Sequence, residues 1–112
     1  MAKRILITSN TFGKAEAELG AVLMRSFLVS LAREEQTPAA IMLVNEGVLL
    51  ACEGSDALPE LRSLADAGAT ITACSTCLKH FELTDKLVVG AEGTMPGLVA
   101  AACGADAIVT IG

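Results

Sequence analysis

A chain of 112 residues is long enough to enclose one hydrophobic core, so a single domain of two or three layers is expected. A net charge of −5, a pI near 4.7, no Trp or Tyr and only three Phe exclude both the basic surface and the stacking platforms that nucleic acid requires. Apolar residues reach 53%, yet clean runs such as residues 97–105 fall far short of the ~18 residues of a membrane span, and Ile5-Leu6-Ile7 is too short for a secretory signal.

No membrane partner is therefore expected, and a cytoplasmic location follows, where the four cysteines stay mostly reduced. The apolar excess then needs burial between subunits, which predicts a homo-oligomer.

The first element is a buried strand centred on Ile5-Leu6-Ile7 within 3–9, closed by the turn Asn10-Thr11-Phe12-Gly13. From Ala15 to about Arg33, Leu19, Val22, Leu23, Phe27 and Leu31 recur at helical spacing, with Glu16 and Glu18 suited to the first turn. Gln36-Thr37-Pro38 breaks the chain before a second strand over 39–44. Asn45-Glu46-Gly47 closes that strand, and Val48 to Ala51 is an apolar patch of undecided form. Ser55 is expected to cap a second helix with Pro59 in its first turn and Gly68 as its stop.

A third strand over 69–73 runs into Cys74-Ser75-Thr76-Cys77, with a helix opening at Thr76 or Cys77. Thr84-Asp85 turns into a fourth strand over 86–89. Thr94 caps a last helix, with Pro96 in its first turn and Gly104 past its end, and a fifth strand spans 106–111. Short continuous apolar strands alternating with helices predict a parallel five-stranded sheet covered on both faces, a three-layer α/β/α domain.

In such sheets ligands meet the turns beyond the carboxyl ends of the strands. Those turns carry Asn10-Thr11, Asn45-Glu46, Cys74 to Cys77 and Gly90-Ala91-Glu92. Of these, the cysteine turn alone bears a reactive group that needs no cofactor. A helix start directs unpaired N–H groups at it, favouring thiolate, the nucleophilic form. The competing reading is that both cysteines are small core residues. His80, three residues beyond Cys77, shares its helix face and could shuttle a proton or simply face solvent. Asn10, Thr11, Asn45, Glu46 and Thr76 are the remaining candidate pocket residues, although capping alone accounts for several. A zinc site needs typically four ligands, and only His80 is nearby, so neither a metal nor another cofactor is expected. Met24, Met42 and Met95 are expected to be core packing, as is Cys103, and no nucleotide-binding loop is present.

The segments Ile5-Leu6-Ile7-Thr8-Ser9-Asn10-Thr11-Phe12-Gly13-Lys14, Asn45-Glu46-Gly47-Val48 with Glu53-Gly54-Ser55, and Cys74-Ser75-Thr76-Cys77-Leu78 together resemble the DsrE-like family. The resemblance is greatest to its YedF-type branch, sulfurtransferase-like proteins associated with selenium metabolism. It implies a trimeric or hexameric sulfur-relay protein carrying sulfur as a persulfide on the cysteine after the third strand, which corresponds to Cys74. Cys77 matches a second cysteine found in the YedF-type pattern. It also implies a protein partner as donor or acceptor of sulfur, such as a cysteine desulfurase or a TusA-like protein. YedF-type proteins usually carry a TusA-like domain ahead of this one, which these 112 residues lack, and have a small residue where Glu46 stands and Gly where Ser75 stands. The residues leave two rivals to a sulfur or selenium carrier: a thiol–disulfide oxidoreductase cycling Cys74 and Cys77, and a non-catalytic oligomeric binding module.

Overall fold

The computed structural model describes residues 3–104 and 107–112. Five strands, Lys3–Ile7 (β1), Ala40–Leu43 (β2), Thr70–Cys74 (β3), Ala91–Gly93 (β4) and Ala107–Ile111 (β5), form one sheet in the order β4-β3-β2-β1-β5, with every neighbouring pair parallel. Four α-helices, Ala17–Ala32 (α1), Leu58–Asp66 (α2), Ser75–His80 (α3) and Met95–Ala102 (α4), connect them, and a 3-10 helix over Asn45–Ala51 follows β2. This is the α/β/α architecture with a parallel five-stranded sheet that the alternating pattern predicts.

The side-chain alternation of the strands separates two unlike faces. Odd-numbered Ile5, Ile7, Ile41, Leu43, Ile71 and Ala73 are buried, and they form the core with Met24 and Leu28 of α1, Leu61 and Leu64 of α2, and Leu78 of α3. Each such aliphatic side chain, fully buried, stabilises the fold by roughly 1.5–3 kcal/mol in transfer terms. The other face is covered more thinly than predicted. Of its residues Met42 is buried, Ala40, Thr72 and Cys74 are half-buried, and Thr70 is exposed. Among the described residues only α4 crosses it, and α4 has no buried residue; its Met95 and Val99 are 57% and 52% exposed. Arg4 helps tie it down, donating from Nη1 to the Ala101 carbonyl at 3.2 Å.

Chain order explains the asymmetry. β1 to β4 step across the sheet in one direction, and right-handed crossovers put α1, α2 and α3 on the same face. The return from β4 to β5, at the far edge beside β1, reverses direction and sends α4 over the opposite face.

The fourth strand lies later than predicted, at 91–93 instead of 86–89. Leu87-Val88-Val89 has strand-like composition, but its backbone is engaged elsewhere: Val88 and Val89 N–H both donate to the Ala51 carbonyl (2.9 and 3.3 Å), and Leu87 bridges Cys52 antiparallel. Gly90, at φ +85°, then redirects the chain so that Ala91–Gly93 pairs with β3. A Cβ at Gly90 would lie 2.5 Å from the Ile71 carbonyl oxygen. Residues 90–92 are therefore a turn and a strand, and the carboxyl end of β4 is Gly93-Thr94.

Other boundaries shift for local reasons. The undecided patch 48–51 belongs to the 3-10 helix, whose close fit to β1 depends on Gly47: a Cβ there would run into the Ile7 carbonyl. Ser55 does not cap α2, whose N-cap is Ala57; its Oγ accepts from Ala57 N–H at 3.0 Å, forming a turn ahead of the helix. Gly68, at φ +115°, lies just past the end of α2. Thr94 does cap α4, its Oγ1 accepting from Gly97 N–H at 3.2 Å. The fifth strand is described from Ala107 onward; the predicted first residue, Asp106, lies outside the described residues.

Candidate functional site

The helices that follow β3 and β4 leave for opposite faces of the sheet, so their carboxyl ends flank the crevice in which parallel α/β sheets bind ligands. The last residues of the two strands, Cys74 and Gly93, are paired there. α3 begins at Ser75, one residue earlier than the earliest predicted start, which makes Cys74 both the end of a strand and the N-cap of a helix. Its backbone is non-helical (φ −55°, ψ 122°), as is usual for an N-cap.

The two thiols differ in their surroundings. Burial pushes the Cys74 thiol up, but the Cys77 thiol, the N–H groups of Cys77 and Thr76 and the Thr76 hydroxyl all donate to its sulfur, and together they bring its pKa below that of an ordinary thiol. Cys77 moves the opposite way. Burial raises it, its hydrogen bond to Cys74 raises it further, and the Cys74 charge adds to this; the Asn45 N–H, 3.1 Å from Cys77 Sγ, opposes them only in part. One sulfur is thereby favoured as thiolate and the other held as its proton donor.

The remaining cysteines are elsewhere. Cys52 is buried, donates from Sγ to the Val48 carbonyl at 3.2 Å, and has its pKa raised by burial and by the Glu53 charge. Cys103, expected in the core, is exposed at the end of α4, because that helix buries no side chain. All four cysteines are free, and among the described residues no group of three or more His, Cys, Asp or Glu is arranged to hold a metal.

Cys74 lines a chamber of about 180 Å³ between the thinly covered sheet face and the start of α4. Its lining includes Met42, Thr70 and Thr72 on the strands and Met95 and Leu98 on the helix. Met42 and Met95, predicted as core, lie on this side of the sheet. The sequence signal that could have found the chamber is the even-numbered register of β2 and β3, which puts Met42, Thr72 and Cys74 on the same face.

The other candidates are distributed differently. Thr76 reaches Cys74, and Asn45 reaches Cys77 through its backbone. Asn45 adopts φ 51°, and its Oδ1 accepts from Glu46 N–H at 2.9 Å, so Glu46 is exposed next to the thiols and not over the chamber. His80 is exposed and meets Phe81 edge-on, with ring centroids 5.1 Å apart. Asn10 lines a separate cleft of about 620 Å³ between α1 and the loop leading into α2. The Thr11 hydroxyl is occupied within its own turn by Ser9 and Gly13. The structure thus gathers Asn45, Thr76 and the two thiols, and Asn10 and Thr11 lie outside that group.

The same architecture occurs in solved structures. The ychN protein of E. coli superposes with a TM-score of 0.73 at 18% identity, over 99% of this chain and 100% of that one. This chain has a DsrE-like fold. The protein of unknown function MTH1491 from Methanobacterium thermoautotrophicum is similar at a TM-score of 0.68 and 17% identity, over 98% of this chain and 99% of its own. The protein of unknown function BT1422 from Bacteroides thetaiotaomicron is similar at 0.64 and 18%, over 96% and 94%. At such identities the likeness is one of fold. Neither a family model nor a curated protein matches the sequence.

Proposed function

We propose that this protein is a sulfur carrier of the DsrE-like type, related to the YedF branch, with Cys74 bearing a persulfide. The observation that carries this reading is the placement of Cys74: it ends β3 and caps α3 at the crevice between the ends of β3 and β4, beside an open chamber, with a second thiol in the first turn of the helix. A thiolate so stabilised attacks the outer sulfur of a donor persulfide. The donor's S–S bond breaks, its electron pair leaves on the donor thiolate, and the transferred sulfur remains on Cys74.

The donor or acceptor in this reading is a protein such as a cysteine desulfurase or a TusA-like partner. Selenium is handled by the same chemistry. Four free cysteines are consistent with the reducing cytoplasm as its location.

Mass spectrometry after incubation with a cysteine desulfurase and cysteine tests the proposal. One added sulfur is expected on Cys74, absent in Cys74→Ser and retained in Cys77→Ser. An adduct that survives Cys74→Ser and vanishes with Cys77→Ser would overturn the assignment and make Cys77 the carrier.

A second reading is favoured by the Cys77 thiol donating to Cys74: the pair could close a disulfide and act as an oxidoreductase. In that case the pair passes two electrons to an oxidised substrate such as a disulfide, the product lacks two hydrogen atoms across the pair and gains no sulfur, and both substitutions are equally damaging.

A further inference from the structure

The chamber beside Cys74 has a chemical character that bears on what reaches the sulfur. None of its lining residues is charged, and the side chains facing it are Met, Leu, Ala, Val and Thr, together with Cys74 itself. Its volume, about 180 Å³, slightly exceeds that of an apolar cavity of ~150 Å³ that accommodates a benzene molecule. An anionic sulfur compound entering it would give up hydration and find no cation in return, whereas a small apolar molecule would gain by leaving water.

We propose that this chamber binds a small neutral thiol with an apolar body, roughly the size of benzene, as an acceptor of the sulfur carried by Cys74. The inference rests on Cys74 being the carrier and adds the substrate class of that site. In the transfer, R–SH and Cys74–S–SH give R–S–SH and Cys74–SH. A bond forms between the acceptor sulfur and the outer sulfur of the persulfide, and the S–S bond to Cys74 breaks with its electron pair left on Cys74. The acceptor's proton ends on that sulfur, by way of solvent or the Cys77 thiol. No net oxidation or reduction occurs, so no further reagent is needed.

Geometry supports the assignment at both ends of the ligand. Cys74, on the even-numbered face of β3, forms part of the chamber wall. Thr72, two residues earlier on the same strand face, and Leu98 on α4 line the chamber with Met42. An apolar body seated among these residues holds its thiol close to Cys74.

The test has two parts. Protein loaded with sulfur on Cys74 is mixed with butanethiol or with 3-mercaptopropionate, thiols of similar size, and loss of the adduct is followed by mass spectrometry. Butanethiol should unload it at least about tenfold faster, after correction for thiolate fraction, because the carboxylate must be desolvated to enter. Met95→Glu, at an exposed position that folding tolerates, should abolish that preference. Equal rates for both thiols in the loaded wild type would overturn the proposal and leave the carrier reading intact.

The second part needs no sulfur on Cys74. Cyclopentane is titrated into the unloaded protein, and the methyl resonances of Thr72 and Leu98 are followed by NMR. Saturable shifts confined to the chamber support the proposal even if Cys74 never loads. Their absence, or their appearance only when dilution frees a face covered by a second copy of the chain, overturns it.

Discussion

Cys74 and Cys77 are three residues apart, yet their surroundings drive their acidities in opposite directions, and this has a measurable consequence. Reactivity follows the thiolate, so a lowered pKa keeps Cys74 reactive toward iodoacetamide at pH values where an ordinary thiol is protonated. Replacing Cys77 by Ala removes a donor to the thiolate while Ser preserves one. The pH–rate profile of Cys74 should therefore move upward in Cys77→Ala, with a severalfold loss of rate at neutral pH, and move less in Cys77→Ser. An unchanged profile in the alanine variant would show that the backbone N–H groups suffice. Cys103, exposed at the end of α4, should label after Cys74 near neutrality, and Cys52 should resist until the protein unfolds. Fastest labelling at Cys52 would contradict the burial described for it.

Two glycines decide how the elements around the site are held. Gly47 lets the 3-10 helix after β2 approach the Ile7 carbonyl, and that helix supplies the Asn45 N–H to Cys77. Gly47→Ala should destabilise the fold by about 1–3 kcal/mol and loosen this contact. Gly90→Ala combines a positive φ with a Cβ pressed on Ile71, so a loss of about 1–3 kcal/mol is expected there too. Urea unfolding measures both, and neutral behaviour at Gly90 would mean that β4 is not anchored as described. Thr94→Ala removes the N-cap of α4 at a cost of about 1 kcal/mol. Because α4 forms one wall of the chamber, that variant should also raise the exchange rate of its first-turn amides.

At the scale of the whole molecule, large apolar side chains remain at the surface: Leu19, Val22 and Leu23 on α1, Met95 and Val99 on α4, and Val109 on β5. Scattered apolar residues are normal on protein surfaces, but clusters on two helices of so small a chain favour self-association. Light scattering at micromolar concentration should give a trimer or hexamer. Val22→Lys and Val99→Lys should each shift the distribution toward smaller species without unfolding the chain, since both positions are exposed. A clean monomer in the unsubstituted protein would remove the argument that apolar composition requires partners.

The sequence by itself determined the class of fold, because alternating short apolar strands and capped helices allow a parallel sheet between helices and little else. It also marked Cys74, since an apolar strand ending in Cys-x-x-Cys at a helix start is a local pattern. What it could not determine depended on distant partners. Residues 86–89 have the composition of a strand, but the Ala51 carbonyl, 37 residues before Val88, holds the N–H groups of Val88 and Val89 and leaves the ladder to Ala91–Gly93. The chamber is legible only once the direction of the β4-to-β5 crossover is known, because that crossover sends α4 across one face and leaves Met42, Thr72 and Cys74 around an open space. Likewise, the distinction between the two thiols is absent from their spacing: it arises from where Asn45 and Thr76 direct their donors, and that is a property of the folded chain.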